Sequence, residues 1–184
     1  VINNFGATTS LANILSDLEK QGVNIKRETL NRYLQILKDA KIISKCTRFD
    51  MKSRKSLQDE QKYYLADLSF YFALNTDNRI NYGPVLENIV YNYARSLGYE
   101  VGVGRIGKLE YDFVIRSPEM EYAYIQMSMT IMSDRSTEER EYQPLEQIRD
   151  NWPKYLLTRS TPIQQRNGII HVNIPEFIRE KRAF

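Results

Sequence analysis

Cysteine and histidine are almost missing from this chain of 184 residues, which has one of each. A lone Cys46 forms no internal disulfide, so a disulfide-stapled fold is excluded and a reducing, cytoplasmic setting is expected. The lone His171 has no nucleophile motif beside it and reads as a strand residue making a local hydrogen bond. No apolar run approaches the roughly 20 residues that cross a bilayer, so no membrane partner is expected. Val1-Ile2-Asn3-Asn4 has neither a basic start nor an apolar core, so no secretory leader is expected, and a start at Val1 rather than Met reads as a piece of something longer. Gly102 and Gly104 are two apart, but no GxGxxG or GKS/GKT pattern follows, so no phosphate-binding loop is expected.

What is present is an ordinary globular composition, 42% hydrophobic and 27% charged, enough for one domain or two small ones. The net charge of +3 is unevenly spread. Residues 1–62 hold 12 Lys and Arg against 7 Asp and Glu, and the remainder holds 14 against 16. A basic amino-terminal part is the asymmetry of a nucleic-acid-facing half.

Leu11, Ile14, Leu15 and Leu18 have helical spacing, with Ser10 or Thr9 as N-cap, and Gly22 stops the helix. A second helix is expected from about Lys26 to Ala40, with Leu30, Tyr33, Leu34 and Leu37 as its core stripe. Lys26, Arg27, Thr29, Arg32 and Gln35 lie off that stripe, where a recognition helix would present them to DNA. A strand from Ile42-Ile43, a basic loop with Arg48, Lys52, Arg54 and Lys55, and a returning strand Lys62–Asp67 make a wing whose cations would sit beside phosphates. The expected organisation is a winged helix-turn-helix over 1–68, a connector over 69–82 centred on Asn75-Thr76-Asp77-Asn78, and a second domain over 83–184.

That second domain opens with a helix from Gly83-Pro84 whose stripe is Leu86, Ile89, Val90, Tyr93 and Leu97, closed by Gly98. Glu87 lies on the border of the stripe and, partly desolvated there, needs a cation or a hydrogen-bond partner. Strands follow at 99–105, 109–115 and 122–129. Glu110 and Asp112 share one face of the second, and Tyr124, Gln126 and Ser128 share one face of the third. A charged helix over 136–149, strands at 154–158 and 168–173, and a terminal helix from Pro175 complete an α/β (α+β) plan, a mixed sheet flanked by helices.

The order of parts is that of a PD-(D/E)xK restriction-endonuclease-like core, in which clustered carboxylates hold Mg²⁺ and a lysine steadies the attacking hydroxide. Glu87 takes the helix-acid position and Asp112 the strand aspartate, and these two are the candidate metal ligands. Gln126 stands at the second acid and Ser128 at the lysine, so the catalytic set Glu87, Asp112 and Gln126 is degenerate. A serine cannot replace an ammonium in stabilising hydroxide or phosphorane charge, unless Lys108 or Arg105 stands in.

Several runs together resemble the carboxy-terminal part of a large group of prokaryotic AAA-type ATPases. They are Lys62–Leu68, Leu86–Asn92, Glu110–Val114 and Tyr124–Ser128, then Glu139-Arg140-Glu141 with Pro144-Leu145, Asn151–Thr158 and Gly168–Ile174. The resemblance spans nearly the whole chain. It implies an ATP-binding P-loop module ahead of the residues present here, then a winged helix, then a restriction-endonuclease-like domain of unknown function. That family often carries Gln at the position of Gln126, whereas Ser160 stands where it commonly has Asp. The expected function is DNA or partner recognition by the carboxy-terminal end of an ATPase, with no cofactor of its own beyond a possible Mg²⁺. The rival readings are an active Mg²⁺-dependent endonuclease and a protein-interaction or self-association module.

Overall fold

A computed structural model describes residues 4–50, 55–74, 80–107, 109–131, 135–159 and 162–184, with the backbone alone for 55–60. The elements run α1 (Leu11–Lys20), α2 (Arg27–Asp39), β1 (Ile43–Asp50), β2 (Lys55–Leu65), α3 (Ser69–Leu74), α4 (Tyr82–Ser96), β3 (Glu100–Ile106), β4 (Leu109–Arg116), β5 (Tyr122–Ser128), α5 (Arg135–Glu146), β6 (Lys154–Thr158), β7 (Gln165–Arg166), β8 (Ile169–Asn173) and α6 (Ile174–Arg179). The strands form one mixed sheet of eight in the order β2-β1-β3-β4-β5-β6-β8-β7. β1 joins the later strands by a parallel pairing with β3, Arg48 opposite Val103 and Asp50 opposite Arg105. β5, β6 and β8 are mutually parallel, and the crossover between β5 and β6 is α5.

Helices cover both faces. α4 and α6 bury Val90, Tyr91, Ala94 and Phe177 against Phe113, Ile115, Ile125 and Met127. On the opposite face α5 buries Tyr142 and Leu145 against Tyr111, Val114, Tyr124 and Leu156. Period-two alternation along β5 sends Ile125 and Met127 to the first cluster and Tyr124 to the second. A third cluster ties α1 and α2 to α3 and α4 through Phe5, Leu30, Leu34, Tyr63, Leu65, Tyr71 and Val85.

Ser10 is the N-cap of α1, its hydroxyl accepting from the Asn13 amide at 3.2 Å. Three expectations change. Tyr33 does not join the stripe of α2: it is 54% exposed, because only Leu30 and Leu34 of that helix face the third cluster squarely. The stretch from Lys45 to Lys62 is not a loop but, outside residues 51–54, the two paired strands of a hairpin, long-range pairing having overridden its polar composition. The fully buried residues of α4 are Val85, Asn88, Val90, Tyr91 and Ala94; Leu86, Ile89 and Tyr93 of the expected stripe pack half-buried against the same core, and Leu97 is exposed. Asn88 joins the buried face because its side chain accepts from the Leu65 amide at 2.7 Å and donates to the Leu65 carbonyl at 2.8 Å, closing the backbone end of β2. The connector contains α3, while its Asn75–Asn78 cluster lies outside the described residues.

Candidate functional site

Four elements bring charged side chains together on the α4 face. Lys62, on β2, is in phase with buried Tyr64 and pairs across the hairpin with buried Cys46, so its stem enters the core. Its ammonium lies 3.0 Å from Glu87 Oε2 and 3.9 Å from Glu110 Oε1. The Tyr64 hydroxyl donates to the same Glu87 oxygen at 3.1 Å. Arg48 of β1 is ion-paired with Glu110. The amino-terminal segment lies over this centre: Gly6 donates its amide to Tyr63, and the Thr8 hydroxyl donates to Glu110 at 3.4 Å.

Asp112 completes the group through an irregularity of β4. Between Gly102 and Gly104 the partner strand advances from Val114 to Tyr111, so β4 carries one extra residue there. Strict alternation breaks at this bulge, which is how such features re-aim a side chain. Asp112 Oδ2 accepts the Met127 amide at 2.6 Å. Desolvation and then the neighbouring Glu87 push the Asp112 carboxyl up to about 8, against the opposing pull of Lys62. For Lys62 burial works against the charge, but Glu87, Asp112 and Glu110 outweigh it and hold the ammonium above the ordinary lysine value. Two cations, Lys62 and Arg48, already balance Glu87 and Glu110, and a third negative charge finds no counterpart.

A pH dependence follows. A carboxyl raised in the folded state keeps its proton after the unfolded chain has lost its own, so the unfolded state gains as pH rises. Asp112 therefore lowers stability progressively from about pH 4 to about pH 8, above which its contribution is level. Asp112→Asn, which keeps an acceptor for the Met127 amide, is expected to flatten that slope in urea unfolding measured across this range. Equal slopes in both proteins would overturn the assignment.

The expected catalytic set is only partly assembled. Glu87 and Asp112 meet, but Gln126, on the face of Tyr124, turns to α5 and donates to Glu141 Oε2 at 2.7 Å. Glu141 is also held by Arg140 at 2.9 Å. The Gln126 amide oxygen is buried without a hydrogen-bond partner. The Ser128 hydroxyl donates to the Thr130 carbonyl at 3.0 Å, and Arg105 donates to the Gly107 carbonyl at 2.8 Å. Lys108 and Ser160 lie outside the described residues. A divalent ion does not fit this donor set. Lys62 already holds Glu87, burial and Glu87 push Asp112 toward its neutral form, and among the described residues no three His, Cys, Asp or Glu side chains are placed to bind a metal.

The basic residues of the amino-terminal part divide. On α2 and its cap, Lys26, Arg27 and Arg32 are exposed and Thr29 is half-buried. Arg27, Arg32, Lys38 and Lys45 line a cleft of about 710 Å³ between α2 and β1, with Asn31, Gln35 and Ser10 beside them. Arg48, expected at a phosphate, is instead occupied by Glu110 and only 11% exposed. Lys52 and Arg54 lie outside the described residues, as does the side chain of Lys55.

His171 has the local role expected of it. Its Nδ1 accepts the Gln164 amide at 3.0 Å, which leaves Nε2 to donate to Thr158 Oγ1 at 2.9 Å. The Thr158 hydroxyl in turn donates a hydrogen bond to Asn173 Oδ1 at 2.8 Å, and burial lowers the imidazole pKa.

Lys62, Tyr64, Glu141, Lys38 and Lys45 were not among the expected site residues. The pattern held one signal for Lys62: a lysine two positions from a core tyrosine on a strand must point the same way. Nothing local marks Glu141, whose partner comes from another strand.

Residues 3–80 match a family model described as a domain of unknown function (DUF8612). An uncharacterized protein of Haemophilus influenzae is 28% identical over 156 residues, which cover 85% of this chain and 38% of that protein. The chain thus spans well under half the length of the curated relative it matches. No solved structure matches it. Among the described residues no helix is long and apolar enough to cross a membrane.

Proposed function

We propose that this chain is the nucleic-acid-recognising end of an AAA-type ATPase, and that hydrolysis belongs to a module outside it. The cleft between α2 and β1 carries the reading: four cations line it and no acid does. α1 and α2 followed by the β1–β2 hairpin supply the parts of a winged helix-turn-helix, with α2 in the recognition position. The ATPase part rests on the residue runs set out above, and a relative much longer than this chain agrees with it. The nuclease-like portion is read as a scaffold rather than a cleaving centre, since Lys62 neutralises Glu87 and Asp112 is pushed toward its neutral form.

The test is a binding titration with labelled duplex DNA at rising salt. Four phosphate contacts predict roughly a hundredfold weakening between 50 and 200 mM salt. Arg27→Glu with Arg32→Glu is expected to abolish most of the binding at the lower salt. Incubation of the bound DNA with Mg²⁺ is expected to leave it intact. Absence of salt-dependent binding would sink the recognition reading, and cleavage suppressed by EDTA and by Asp112→Ala would replace the scaffold reading with an enzymatic one.

A further inference from the structure

Two clefts meet at one pair of lysines. The first, between α2 and β1, is lined by Arg27, Arg32, Lys38 and Lys45. The second, of about 500 Å³, runs from β1 to the end of α4 and is lined by Lys38, Lys41, Lys45 and Arg95. Lys38 and Lys45 thus belong to both. The only acid lining either is Glu100, already ion-paired with Arg116. Neither Lys38 nor Lys45 makes an ion pair with a described residue, and they stand close enough to repel: desolvation and then Lys38 lower the pKa of Lys45. Uncompensated like charges side by side are relieved by an anion bound between them.

We propose that the joined clefts form one phosphodiester track, leading duplex nucleic acid from α2 past Lys38 and Lys45 to Arg95, and so from the amino-terminal helices onto the central sheet. The inference rests on the nucleic-acid reading above, extends it through Lys38 and Lys45 into the second cleft, and adds Lys41 and Arg95 to it. Duplex is favoured over single strand by the rings in the clefts. Tyr63 and Tyr91 are both only 4% exposed, so they offer no face on which unpaired bases could stack. Contacts from lysines spread along two clefts touch backbone rather than base edges, so this segment adds affinity without sequence preference.

The experiment uses the whole chain and a labelled duplex, with fluorescence anisotropy read over a salt series. Lys38→Gln with Lys45→Gln removes two phosphate contacts. It is expected to weaken binding at least tenfold and to lower the slope of log affinity on log salt by about 2, with the ranking of different duplex sequences unchanged. Arg95→Gln is expected to lower the slope by about 1. Circular dichroism confirms folding of each variant, and all three positions lie on the surface of their clefts. A lysine variant that keeps the full affinity and slope while Arg27→Glu with Arg32→Glu loses binding would overturn the track and leave recognition by α2 standing. Failure of the unaltered chain to bind duplex at low salt would overturn both. Tighter binding of a single strand than of the duplex would overturn the choice of duplex.

Discussion

Glu87→Ala is expected to destabilise the fold by about 3–5 kcal/mol, the range for removing one partner of a buried ion pair. The side chains of Lys62 and Glu87 are 7% and 18% exposed, so the ammonium left behind cannot return to water without disturbing β2. The Tyr64 hydroxyl would lose its acceptor as well. Asp112 softens the loss. With Glu87 gone, one cause of its raised pKa disappears, and its carboxylate can ionise and neutralise Lys62. The penalty is therefore expected to grow as pH falls below the range where Asp112 ionises, which a simple loss of packing would not do. A double variant, Glu87→Ala with Lys62→Met, should recover most of the stability by removing the stranded charge. Urea unfolding of the single and double variants at pH 6 and pH 8 measures both effects. A single-variant loss below about 1 kcal/mol at both values would mean that the pair is solvated and behaves like a surface ion pair.

Gly104→Ala acts by a different route and is expected to cost about 3 kcal/mol or more, at the upper end for overpacking a core. A Cβ at this position would stand 1.9 Å from Tyr111 Cε2 and 2.1 Å from Cζ. Tyr111 cannot step aside as a flexible chain end would. It is 1% exposed, lies opposite Gly104 in the strand register, and meets the Tyr124 ring edge-to-face at 5.8 Å. The residue is glycine for reasons of space, since its φ is not among the positive ones. In a chain of this length the loss corresponds to a drop of roughly 6–12 °C in Tm. Pairing the alanine with Tyr111→Ala should restore part of the loss that either change causes alone, because the second removes the ring that the first collides with. Additive losses in that double variant would show that the methyl group is accommodated elsewhere.

Both predictions depend on neighbours that no short stretch of sequence reveals, and this separates what could be read directly from what could not. Ser10 before Leu11, Gly22 after α1, Gly98 after α4 and the alternation of Tyr122–Ser128 each mark an element through their own local geometry. Most of the order of helices and strands and the mixed sheet were accordingly legible, whereas α3 and β7 were not. The buried face of α4 was misjudged at Asn88, because a polar residue joins a core only where a partner backbone, here that of Leu65, needs both its donor and its acceptor. The ends of the hairpin read as strands, but the stretch from Lys45 to Lys62 reads as a basic loop, because its pairing is made across the chain and not by its composition.

The sequence by itself determined the local framework and placed most of the amino-terminal excess charge, because helix period, strand alternation and capping are properties of adjacent residues. Tertiary structure decided the chemistry. It set Lys62 against Glu87 across 25 positions of chain, turned Gln126 toward Glu141, raised Asp112 at a bulge in β4 and brought Lys38 beside Lys45. The physical reason is that a charge is governed by what desolvates it and what stands beside it. In a folded chain those neighbours are supplied by strand register and helix packing, which no local pattern specifies.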